Sequence, residues 1–164
     1  MRSVLGKVFG TIAAGAALAL AVNSPAMAVT FEKETGSYYN LNSTSNPPGT
    51  RGYCVEIGIA QSRACFGRAG DVIYVVDEES DFHNVYAKWD NHLKNASGDW
   101  VGYRSGECWN KMGTPYWVSC NKDFYEDDAR NAKNGHGSRI RLTICIDDLG
   151  DPTCETDSWI RNDA

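Results

Sequence analysis

The sequence predicts an all-β fold: an antiparallel β-sandwich of about seven or eight short strands, stabilised by three disulfides. Three observations carry this. Short runs alternate apolar and polar side chains with period two, turn clusters separate them at regular spacing, and no stretch keeps a helical period. The six cysteines form an even set that begins only after residue 28.

The elements follow in order. Arg2 and Lys7 precede an apolar stretch from Val8 to Val22, and Ala26-Met27-Ala28 fits the small-x-small cleavage rule. Residues 1–28 therefore read as a secretion signal cleaved after Ala28; the apolar core is too short for a membrane anchor. Residues 29–50 are polar, rich in Ser, Asn and Pro towards their end, and read as a loosely ordered N-terminal arm. Residues 51–164 form the sandwich domain. Tyr53, Val55, Ile57 and Ile59 alternate with polar or small neighbours as a half-buried strand, and Ala64 to Phe66 returns against it.

Val72 to Val76 is a continuous β-branched and aromatic run suited to a central strand. Val85, Ala87 and Trp89 give the next, the turn Asn95 to Asp99 follows, and Trp100 to Arg104 pairs back. Cys108 to Cys120 reads as a hairpin whose turn holds Lys111, Gly113 and Pro115. Residues 121–137 read as a polar surface loop with a short helical turn. Ile140, Leu142, Ile144 and Ile146 form the clearest apolar row, with Arg139, Arg141, Thr143 and Cys145 on the opposite face. A turn at Asp147 to Pro152 precedes a last strand at Ser158 to Arg161.

An even cysteine set in an exported chain points to disulfides. Nearest-neighbour pairing gives Cys54 with Cys65, Cys108 with Cys120, and Cys145 with Cys154, each pair bracketing a turn. Other connectivities stay open. Each loop of this size contributes roughly 3 kcal/mol through loop-closure entropy. Cys54 and Cys145 fall opposite to the apolar rows of their strands, so they belong on faces away from the main core. No Cys-x-x-Cys and no histidine pair at helical spacing suggests a metal site, and paired cysteines leave no thiol nucleophile.

Removing 28 residues leaves 14 Lys and Arg against 21 Asp and Glu, a net charge of −7 for the mature chain. That balance opposes nucleic-acid phosphates and anionic membranes, and no second apolar run calls for membrane insertion. His83, in Asp81-Phe82-His83, could serve as a base or ligand, but a solvated loop histidine is the simpler reading; His92 and His136 stand alone. Acidic residues gather at Asp77–Asp81, Glu126–Asp128 and Asp147–Asp151. None has calcium-loop spacing, and nothing fixes an acid/base separation for sugar hydrolysis. The Arg139–Cys145 strand resembles that of small secreted ribonucleases, yet their histidine- and glutamate-bearing segment is missing. No cofactor is implied. The aromatic set Trp89, Trp100, Trp109, Tyr116 and Trp117 is a possible ligand platform, against core packing as the simpler role.

The order Ala64-Cys65-Phe66, Gly70 to Asp77, Ser80 to His83 and Tyr86 to Trp89 resembles small exported β-sandwich proteins common in actinobacteria. So does the later order Cys108-Trp109-Asn110, Gly113-Thr114, Cys120, Arg141 to Cys145 and Cys154. The resemblance spans residues 51–164, implies fold and export, and supplies no catalytic residue. It implies a glycine where this chain has Phe82. The functional expectation is a non-enzymatic extracellular or cell-envelope module binding a protein or glycan partner. Carbohydrate binding through exposed aromatics, and protease inhibition through Lys111 to Pro115, are the alternatives.

Overall fold

In a computed structural model, residues 29–58, 62–148 and 150–163 are described. The secretion signal and its cleavage after Ala28 lie outside the described residues. The strands are β1 (Thr30–Thr35), β2 (Ser37–Tyr39), β3 (Cys54–Ile57), β4 (Ser62–Gly67), β5 (Val72–Val76), β6 (Asn84–Asn95), β7 (Trp100–Asn110), β8 (Trp117–Asn121), β9 (Asn134–Asp147), β10 (Thr153–Thr156) and β11 (Ile160–Asn162). They form two sheets packed face to face. The first runs β1-β7-β6-β9-β10, with β11 also pairing β9, and the second runs β2-β8-β5-β4-β3. Among the described residues no helix is long and apolar enough to cross a membrane.

The class follows the alternation. Ile140, Leu142 and Ile144 of β9 and Val85, Ala87 and Trp89 of β6 point into the space between the sheets. There they meet Ala64, Phe66, Ile73, Val75 and Val118 of the second sheet. Burying each larger aliphatic or aromatic side chain contributes about 1.5–3 kcal/mol. Gly106 of β7 is required by this packing: a Cβ there would lie 2.6 Å from the Trp89 ring and run into the Glu32 carbonyl.

Several expectations change. Among the described residues the strands number eleven rather than seven or eight. Residues 29–50 are not a loose arm. β1 lies parallel to β7, and β2 pairs antiparallel with β8, so residues 30–39 belong to both sheets. Polar edge strands carry little apolar periodicity, because they contribute hydrogen bonds more than core. Residues 122–133 are irregular, with no helical turn, and Phe124 from this stretch is buried in the core against Trp89 and Phe66.

The disulfides join the nearest neighbours in sequence: Cys54–Cys65, Cys108–Cys120 and Cys145–Cys154. Two link facing residues of adjacent strands, with Cα atoms 4.0 and 4.2 Å apart, on the outer faces of their sheets. Cys108–Cys120 is different. It joins β7 of the first sheet to β8 of the second through the core, with Cα atoms 6.0 Å apart. The expected hairpin is an arch between layers. Asn110 holds it: Nδ2 donates to the Tyr116 carbonyl at 2.7 Å and Oδ1 accepts from Met112 N–H at 2.9 Å.

Candidate functional site

The outward row of the first sheet brings cations and indoles together. Trp89, Leu93, Ile140 and Leu142 face the core, so Asp90, His92 and Lys94 of β6 and Arg139 and Arg141 of β9 take the solvent side. Register sets His92 opposite Arg139, Asp90 opposite Arg141, and Lys94 opposite Trp100 of β7. Ile160 packs into the core from β11, which leaves the preceding Trp159 outward over β9.

The Arg139 guanidinium lies between two half-buried indoles, 4.8 Å from the Trp100 ring centre and 4.2 Å from that of Trp159. Arg141 lies 4.8 Å from the Trp159 ring, whose centre is 4.3 Å from that of His92. Such cation–π contacts contribute about 0.5–2 kcal/mol according to exposure. Arg139 Nη2 donates to His92 Nδ1 at 3.3 Å, which uses the neutral ring. Burial, then the Arg139 charge, lowers the His92 pKa below the ordinary histidine value and keeps that form.

The two arginines differ in one respect. Arg141 is paired with Asp90 at 2.9 Å, whereas none of the ion pairs among the described residues includes Arg139. Burial and repulsion from Arg141 lower the Arg139 pKa, with no carboxylate opposing them.

A second feature lies at the opposite end. Val76 pairs with Trp117, Val85 with Asn110 and Asn84 with Asp147, so the connections 77–83, 111–116 and 148–152 share one end of the sandwich. Phe82 there is fully exposed, with a left-handed backbone at φ 64°. Asp81 fixes the turn by accepting the His83 N–H at 3.0 Å and facing His83 Nδ1 at 3.1 Å; Asp148 adds a contact at 3.4 Å. The Asp81 contact raises the His83 pKa. Met112, Tyr116 and Tyr38 are exposed at this end too, the two tyrosines edge to face at 5.9 Å.

The five aromatics considered as a possible platform, against core packing, are dispersed. Trp89 is 1% exposed within the core, and Trp117 is 0% exposed beneath residues 40–46 on the second sheet. Trp109 stacks on Tyr86 at 4.1 Å over the first sheet, 9% exposed. Tyr116 stands at the Phe82 end. Only Trp100 of that set belongs to the Arg139 cluster. Its partners Trp159, His92 and Arg139 were legible as residues, and Arg139 and Arg141 as an outward row, but their convergence needs the pairing of β11 with β9. Among the described residues no group of three or more His, Cys, Asp or Glu could hold a metal ion. His136 is exposed, in an isolated bridge with Arg130.

No protein-family model matches the chain, and neither a curated protein nor a solved structure matches it.

Proposed function

We propose that this chain is an exported, non-enzymatic interaction module that docks a protein partner through the Phe82 end of the sandwich. Export is supported by the signal-like first 28 residues and by three disulfides, which persist in oxidising compartments. The resemblance to small exported actinobacterial proteins fits the same reading.

The observation that carries the docking reading is Phe82. A left-handed backbone costs a non-glycine residue about 1 kcal/mol or more, and full exposure of the ring leaves its apolar surface in water. The Asp81–His83 contacts hold the turn, but among the described residues nothing covers the ring. A partner pocket that buried the ring would offset both, as aromatic anchors do at interface centres. The partner's chemistry follows from the rim. The acids that reach solvent on these connections are Glu79, Asp81, Asp148 and Asp151, with Lys111 as their lysine, since Asp77 is buried and Glu78 is paired with Arg63. An apolar pocket with a basic border complements this end; an anionic membrane does not.

Phe82→Asn tests the assignment, since asparagine accepts the left-handed backbone. The variant should keep or slightly raise the melting temperature. It should lose a salt-sensitive partner from cell-envelope or culture-fluid proteins that both the parent and Phe82→Leu retain. Partner retention by Phe82→Asn, or no Phe82-dependent partner at all, refutes it.

Sugar stacking is the weaker reading, because three of the five tryptophans are buried and cations occupy the exposed pair. Protease inhibition has less support still: it rests on one exposed lysine, Lys111, 5.8 Å from the Trp109 ring centre.

A further inference from the structure

We propose that the outer face of the first sheet holds a binding site for an organic carboxylate, with the Arg139 guanidinium as its receptor and the Trp100 and Trp159 indoles as its walls. This site is independent of the Phe82 end and stands or falls separately.

The groups facing Arg139 are Arg141, which Asp90 neutralises, and His92, which accepts a hydrogen bond and so is uncharged in this arrangement. Arg161, opposite Arg139 on β11, is engaged by Asp127. Lys94 stands at the rim, 6.0 Å from the Trp100 ring. Among the described residues no carboxylate therefore pairs with the cation at the centre, in a protein whose mature chain is strongly acidic.

Geometry then selects the ligand. Arg139 spends one donor contact on His92, and the Trp100 and Trp159 rings, 4.8 and 4.2 Å from its guanidinium, restrict the freedom of the planar fork. A fork held in this way matches a carboxylate through two parallel hydrogen bonds. The neighbouring indoles penalise a compact, strongly hydrated inorganic dianion, which would lose water without gaining partners. An organic acid instead lays its carbon frame against them. With one charged, partly solvated contact, the dissociation constant should be on the order of 1 mM.

The test follows the indole N–H signals of the disulfide-bonded protein by nitrogen-15 NMR. Assignment uses Trp100→Phe and Trp159→Phe, and the titrants at constant ionic strength are galacturonate, glutamate, galactose and inorganic phosphate. Galacturonate should give saturable shifts confined to Trp100 and Trp159, and galactose none. Arg139→Gln should weaken binding about tenfold. Asp90→Asn, which frees Arg141, should tighten it several-fold, and this gain cannot come from misfolding. An equal response to glutamate assigns recognition to the carboxylate alone; a stronger response to galacturonate adds its ring. Equal shifts with galactose, unchanged binding by Arg139→Gln, or tighter binding of phosphate than of galacturonate overturns the proposal.

Discussion

The outer faces of the two sheets use the same pair of side chains to different ends. On the second sheet, Arg63 lies 5.3 Å from the ring of Trp117, and on the first, Arg139 lies 4.2 Å from that of Trp159. Arg63 is supplied with partners. It donates to Asn46 Oδ1 at 2.6 Å, to the Ser43 carbonyl, and to both carboxylate oxygens of Glu78 at 3.2 Å. Residues 40–46 fold over Trp117, whose Nε1 donates to the Asn42 carbonyl at 3.2 Å. Among the described residues Arg139 has no ion-pair partner, and no carboxylate opposes the lowering of its pKa. The contrast teaches that a guanidinium stacked on an indole becomes structural when the chain satisfies its remaining donors. Left unsatisfied, it is a receptor.

The sharpest way to break this comparison is to remove each arginine. Arg63→Ala strands Glu78 in a nearly buried position, leaves two acceptors unpaired and frees the 40–46 cover. It should cost about 3 kcal/mol in chemical denaturation. A cost equal to that of the Arg139 variant would erase the distinction.

The buried carboxylate beside this network gives the next effect. Burial raises the Asp77 pKa to about 6, against the hydrogen bond from Glu79 N–H. Its folded pKa exceeds its unfolded value of 3.8, so the folded state holds the proton more tightly. Protonation favours folding at low pH, and that advantage disappears as pH rises from the unfolded value through about 6. Asp77→Asn should therefore be more stable than the parent by about 2 kcal/mol near neutrality and equal to it below about pH 4. Melting curves across pH would show this, and a constant difference would exclude the buried charge as its cause.

Arg139→Ala should change stability by less than about 1 kcal/mol, since it removes cation–π contacts at a half-exposed site and relieves repulsion with Arg141. A loss of several kcal/mol would make Arg139 as structural as Arg63.

How much of this was legible varies by element. The core row Ile140, Leu142 and Ile144 was evident because a period-two apolar pattern has one stable outcome, burial on one sheet face. β1 and β2 were not, because the hydrogen bonds that hold edge strands leave no side-chain pattern. Trp117 and Trp100 have the same sequence character, yet one is sealed and the other half-open. The difference lies in whether residues 40–46 or solvent cover the sheet there.

By itself the sequence determined the all-β class and the outward placement of Cys54, Cys145, Arg139 and Arg141, and it made nearest-neighbour cysteine pairing the first choice among open connectivities. These are properties of strand parity and chain reach, both local. Only tertiary structure decided that Cys108–Cys120 joins two layers, that residues 29–50 join both sheets, and that Trp159 meets His92 and Arg139. Each depends on which distant strands lie side by side. Pairing partners are selected by the packing of the whole core, and neither a turn of given length nor a period of two specifies them.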